Sequence, residues 1–238
     1  MEVIKVRCIK HRYEDQTEVR VCGLTFRVKR GEKVAIIGPN GSGKTTLLHH
    51  IIGLLKPIEG EIKVFGLSPY KNFKRLIPKI GVVFQDVDYQ LFGPTVFDDI
   101  AFVPRNLGWS EDRIRKEVNK ILKDFGIQRL KNKVPSYLSG GEKKKVAIAG
   151  ALVSKPELLI LDEALAEVDP ESKEMIIKKL NEMNEELQTT ILLVTNEMGV
   201  IKKFADVVYL MEKGRIILKA KPKELFKRRA KIEFCKHF

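Results

Sequence analysis

Fifteen residues, VAIIGPNGSGKTTLL from Val34 to Leu48, restrict what this chain can fold into more than any other stretch. Val34 to Ile37 make a short apolar run of buried-strand character, Lys44 to Leu55 read as an apolar-rich helix, and a glycine-rich loop joins the two. The loop from Gly38 to Thr45 fits G-x-x-x-x-G-K-[ST] without a mismatch, in the strand-loop-helix setting that the pattern needs.

Each residue type in that loop has a chemical reason. Glycines at 38, 41 and 43, with Pro39, Asn40 and Ser42 between them, let the backbone turn tightly and bring its N–H groups up to phosphate oxygens. The helix N-terminus adds partial positive charge. Lys44 reaches the β- and γ-phosphates as a point charge, and Thr45 offers a hydroxyl to Mg²⁺, with Thr46 beside it. A loop that merely turned the chain would account for the glycines but not for the Lys-Thr pair in register.

At 238 residues and 44% hydrophobic composition, the chain is globular and long enough for one well-cored unit or two small domains. No apolar run approaches the roughly 20 residues of a membrane-spanning helix, and the start, MEVIKVRCIK, lacks the apolar core of a signal peptide. The expected place is the cytosol, or a membrane reached from the cytosolic side. Cys8, Cys22 and Cys235 are far apart, odd in number and in no metal-ligand spacing, so they are expected to be reduced, mostly buried thiols. The net charge of +13 gathers in two places, with seven Lys or Arg in Ile114 to Lys133 and seven in Lys219 to Lys231. Nucleic acid, an anionic membrane surface and a plain solvated face are all open readings of such runs, the solvated face being the ordinary one.

Taken in order, residues 1–37 alternate in pieces (Val19, Val21, Leu24, Phe26, Val28) and read as an antiparallel β-layer. Tyr13 is either an ordinary surface tyrosine or a loop aromatic able to stack on a purine. Strands are expected at Gly60 to Phe65 and at Ile80 to Phe84, the latter ending on Gln85, where a polar amide at a strand's carboxyl end suits a site. From Asp86 to Lys155 the periodicity turns helical: Ser110 can cap a helix carrying the stripe Ile114, Val118, Ile121, Leu122 and Phe125. The stretch LSGGE places Ser139, Gly140 and Gly141 before another helix, which is either a capped turn or a second N-terminal anion site. Apolar residues 158–161 run into Asp162 and Glu163, an acidic pair that is costly at a buried strand tip unless a cation meets it. Asp162 is the natural Mg²⁺ partner, and Glu163 the group to orient or deprotonate a water. Strands near Thr190 to Val194, Val207 to Met211 and Arg215 to Leu218 follow, then a basic tail from Pro222.

The phosphate loop, Gln85, LSGGE and LLILDE together resemble the ATP-binding cassette ATPases that power transporters, over essentially the whole chain. The resemblance implies an α/β P-loop fold with a mixed sheet core, an N-terminal antiparallel β-layer and an inserted helical subdomain. Residues 1–85 and 156–220 would then form the nucleotide-binding core, 86–155 the helical subdomain and 221–238 the tail. It implies ATP and Mg²⁺ as cofactors, with Thr45, Gln85 and Asp162 at the metal, Glu163 polarising the water and Tyr13 stacking on adenine. Ser139, Gly140 and Gly141 would contact ATP held by a partner cassette, with Asp169 along the seam of that dimer. The stretch VFQDVDYQLFGPTVFDDIAFVPRNLG is similar, more narrowly, to energy-coupling-factor and cobalt-type cassettes, which drive uptake of vitamins or transition-metal ions through an integral membrane coupling subunit.

The departures gather on the catalytic side. Asn196 stands where the family usually has histidine, Glu197 where it has aspartate, and residues 164–168 read ALAEV instead of something near PTAGL. Asparagine can hydrogen-bond a γ-phosphate but cannot take up a proton or a positive charge. The resemblance therefore suggests either the weaker half of an asymmetric cassette pair or a homodimer in which Asn196 is tolerated, at the cytoplasmic face of a membrane. The alternative is a nucleic-acid-associated or soluble regulatory cassette; the interval from Thr46 to Leu138 is short for the first of these, and no nucleic acid is expected.

Overall fold

The computed structural model describes residues 1–228. Ten strands, β1 (Glu2–Arg12), β2 (Glu18–Gly23), β3 (Phe26–Lys29), β4 (Lys33–Ile37), β5 (Glu59–Val64), β6 (Ile80–Val83), β7 (Leu158–Asp162), β8 (Thr190–Val194), β9 (Val207–Glu212) and β10 (Arg215–Ala220), run in the order β3-β1-β2-β10-β9-β4-β8-β7-β6, with β5 on β1. Strands β4, β6, β7 and β8 are parallel and nearly all apolar, because helices cover both of their faces. Strands β1, β2, β3 and β5 pair antiparallel and form the N-terminal layer.

The helices are α1 (Lys44–Ile51), α2 (Phe73–Leu76), α3 (Val96–Asn106), α4 (Glu111–Asp124), α5 (Gly140–Leu152), α6 (Pro170–Leu187), α7 (Met198–Phe204) and α8 (Pro222–Arg228). Helices α3, α4 and α5 all lie between β6 and β7. Ser110 caps α4 by accepting from Arg113 N–H, and Ile114, Val118 and Leu122 are fully buried along one stripe. These residues join one core with α5, α6 and the strand tips, whereas Val3, Ile4, Val6 and Ile9 of the β-layer share a second core with α1 and β4. Burial of so many branched apolar side chains, each contributing about 1.5–3 kcal/mol, fixes α1 between the layer and the sheet.

Several expectations are corrected. Helix α1 stops at Ile51 instead of Leu55: Gly53 takes a left-handed φ of 84°, and the Leu55 carbonyl turns back to the His50 ring (3.0 Å). Strand β6 ends at Val83, so Gln85 lies beyond it in the loop. Leu24 is half exposed between strands rather than part of the alternation. Cys8 and Cys22 are a disulfide, not free thiols, and Cys8 is exposed. The β1–β2 register sets Ile9 opposite Val21, so residues 8 and 22 are the next facing pair, a proximity that their 14-residue separation concealed. Cys235 and the end of the basic tail lie outside the described residues.

Candidate nucleotide site

The site is built where β4, β7 and β8 end. Gly38 follows β4 at a φ of 149°, and a Cβ there would stand 2.0 Å from Met211 O, so only glycine fits. Its N–H donates to Asn196 Oδ1 (3.2 Å), which ties the loop to the chain just past β8. Lys44 is buried, and its ammonium donates to Gly38 O (2.8 Å) and Pro39 O (3.0 Å), so it lies across the loop's own carbonyls. Burial holds its pKa below the usual lysine range, against the pull of Glu163 and Asp162. Helix α1 has no side-chain cap, Gly43 serving as N-cap, so side chains leave its first N–H groups free. Asn40 and Gly41 are exposed, and Ser42 is buried with its hydroxyl oxygen lacking any partner.

Opposite this cradle, Thr45 Oγ1 donates to Asp162 Oδ2 across 3.5 Å. Asp162 is buried, and that burial, with the charge of Glu163 beside it, pushes its carboxyl up to about 6 in spite of Lys44 and Thr45. The donor set of hydroxyl and carboxylate is all oxygen, and a divalent cation here would supply the missing countercharge; the residues fit Mg²⁺. Glu163 holds a left-handed φ of 47°, a conformation costing about 1 kcal/mol or more, fixed by its N–H to Val194 O (3.0 Å). It lines two hollows, one with Asn40, Thr195, Asn196 and Glu197 and the other with Gln85, Gly140, Lys143 and Lys144.

Tyr13 sits in the β1–β2 hairpin, and its hydroxyl bonds Thr46 Oγ1 (2.8 Å) while its ring meets His11 edge-on. Ser139 caps α5 in a full capping box with Glu142, and the Ser139-Gly140-Gly141 run makes no hydrogen bond to the phosphate loop among the described residues. Asp169 caps α6 by accepting from Ser172 N–H and lies 3.7 Å from the Lys145 ammonium. Glu197, beside Asn196, pairs with Lys173 of α6 at 2.5 Å.

A strand-loop-helix cradle facing an Asp-Glu pair at a strand tip is shared by many nucleotide-binding proteins; the match of residues 21–166 to the family model described as ABC transporter narrows it. The chain is an ABC transporter cassette. It is 41% identical over 230 residues to the energy-coupling factor transporter ATP-binding protein EcfA of Methanocaldococcus jannaschii, covering 95% of this chain and 81% of that one. To the EcfA2 protein of Clostridium perfringens it is 43% identical, covering 94% and 79%. The structure of cbiO1 from Clostridium perfringens, part of the cbiONQ transporter complex, matches at 42% identity and a TM-score of 0.82, covering 96% and 92%. A cassette solved as a dimer in a post-hydrolysis state with ADP and Pi matches at 28% identity and a TM-score of 0.84, covering 92% and 98%. The cassette thus belongs among the energy-coupling factor transporter ATP-binding proteins, and is an ATP-binding ATPase by family.

Sequence reasoning passed over three side chains that brace the site. Lys143 reaches Asp88 at 2.6 Å, Lys144 donates to Ala166 O at 2.7 Å, and Gln90 fastens the loop holding Gln85. The charged run after LSGGE was a signal for the lysines; Gln90 had none beyond its place in the stretch VFQDVDYQLF.

Proposed function

We propose that this cassette binds ATP with Mg²⁺ and hydrolyses it to drive a membrane importer of the energy-coupling-factor type, for vitamins or transition-metal ions. The observation that carries the reading is Glu163, held by a strained backbone on the wall between two hollows, one reaching the phosphate loop and the other Gln85. Lys44 and the unengaged N–H groups of Gly41 and of Gly43 to Thr46 hold the phosphates. Thr45, Asp162 and Gln85 hold Mg²⁺, which when bound screens the phosphate charge. Glu163 takes a proton from the attacking water as the oxygen bonds to the γ-phosphorus and ADP leaves. Tyr13, tethered to Thr46, presents its ring to adenine.

Ser139, Gly140, Gly141 and Asp169, turned to solvent, complete the ATP site of a second cassette. Among the described residues no helix is long and apolar enough to cross a membrane. Docking to an integral membrane subunit at the cytoplasmic face uses a groove walled by Leu54, Phe73, Phe84, Phe92, Phe102 and Val103. Phe92 is 66% and Phe102 47% exposed, and Asp99 Oδ2 is buried at the groove without a partner.

The pair is asymmetric in this reading. Asn196 Oδ1 accepts from Gly38 N–H, and its neutral amide can neither take up a proton nor carry positive charge, so turnover at this chain's own site falls about 10²-fold below that of a histidine site. Affinity purification from detergent-solubilised native membranes tests the whole proposal. Recovery of a membrane subunit with a second, different cassette supports it; recovery of this cassette alone with the membrane subunit removes the asymmetry, and nucleic acid or soluble proteins instead would sink the transport reading.

A further inference from the structure

Strand β6 ends the sheet, paired with β7 on one edge and, among the described residues, with no strand on the other. That free edge is not bare. Val82 O and Phe84 N–H, two residues apart, are the acceptor and donor that a further strand would engage. One side chain takes both: Gln90 Oε1 accepts from Phe84 N–H (3.1 Å), and Gln90 Nε2 donates to Val82 O (2.8 Å). A primary amide has the same acceptor and donor as a peptide group, so Gln90 stands in for the missing strand.

The loop closed in this way carries Gln85. It is also held by Asp88, which accepts from Lys143 on the first turn of α5, next to Gly141 (2.6 Å). Just beyond, Phe92 and Gly93 N–H donate to Asp99 Oδ1 (3.0 and 2.8 Å). Gln90 lines the apolar groove with Leu91 and Phe92, while Gln85 lines the hollow with Glu163. A polar amide on an apolar wall is explained by the two backbone groups it satisfies.

We infer that Gln90 is the positioning residue that holds Gln85 at the nucleotide site. The inference rests on the ATPase reading above.

A double-variant cycle on the full chain tests it, with kcat and KM for ATP measured for wild type, Gln90→Leu, Gln85→Ala and the pair, and hydrogen exchange followed at the Phe84 amide. Gln90→Leu is expected to lose about tenfold in kcat with KM for ATP within about twofold, and to exchange faster at Phe84. The double variant is expected to be no slower than Gln85→Ala, because Gln90 acts only through Gln85. Additive losses, or a wild-type kcat in Gln90→Leu, overturn the inference. Where Gln90→Leu does not fold, Gln90→Glu serves in the same cycle, since it keeps the acceptor for Phe84 N–H and sets a carboxylate oxygen against Val82 O. A wild-type chain that hydrolyses nothing even with a second cassette present defeats the ATPase reading instead, and unchanged Phe84 exchange in the variants then overturns the positioning role as well.

Discussion

Asn196 concentrates the residue-scale argument, since its one acceptor oxygen is already engaged by Gly38 N–H. Asn196→His is expected to raise kcat about 10²-fold, measured as steady-state phosphate release, with ATP affinity unchanged. Equal rates would mean that the asparagine is simply tolerated. Another residue sets the acid limit. His50 is fully buried, with Nδ1 on Leu55 O and Nε2 without a partner. Burial pushes its pKa down to about 4 against the Leu55 carbonyl, with His11 and His49 adding to the shift. The unfolded chain takes up this proton near pH 6.5 and the folded one only near 4. Stability is therefore intact above 6.5 and is lost as pH falls through that window, by about 3 kcal/mol in full. Urea unfolding at pH 7 and 4.5 should show a smaller acid loss in His50→Leu than in wild type. Lys44 and Thr45 were legible because their chemistry lies in one contiguous register. Tyr13 was legible only as a candidate, because its bond to Thr46 depends on how the hairpin packs against α1.

At the scale of elements, the apolar runs at 34–37, 158–161 and 190–194 were readable as buried parallel strands, and Ser110 as a cap, because the signals are local. The β1–β2 disulfide was not, since it follows from a cross-strand register that composition does not carry. Reducing it, or replacing Cys22 with Ser, is expected to lower stability by about 3 kcal/mol for a loop of this length, read as a shift in the urea midpoint with and without reductant. An unchanged midpoint would mean that the bond does not form in solution. Helix α5 offers a smaller effect: Ser139→Ala breaks the capping box and should cost about 1 kcal/mol, with its influence on hydrolysis appearing only when a second cassette is present.

For the whole molecule, the order of motifs was enough to anticipate an α/β fold with a helical insertion, because each motif belongs to a strand end or a helix start. The closure of the sheet through β10 was beyond it. With the second cassette present, Glu163→Gln is expected to bind ATP without turning it over and so to accumulate as a dimer on size-exclusion chromatography with ATP and Mg²⁺, whereas Lys44→Ala stays monomeric. A Glu163→Gln chain that stays monomeric beside that cassette would sink the shared-site arrangement.

The join between the N-terminal layer and the core sheet is narrow. Strand β2 pairs with β10 only through Cys22 opposite Arg215 and Gly23 opposite Ile216, and a Cβ on Gly23 would stand 2.4 Å from Ile216 O. In backbone pairing the layer meets the core sheet at a hinge two residues wide, one of them tied to β1 by the disulfide, and the apolar core shared with α1 and β4 carries the rest of the join. A pull on the N-terminus, resisted at the core, reaches the hinge through a covalent strut. It would shear the pairing at Arg215 and Ile216 before it unzipped the hairpin, and reduction would reverse that order of failure.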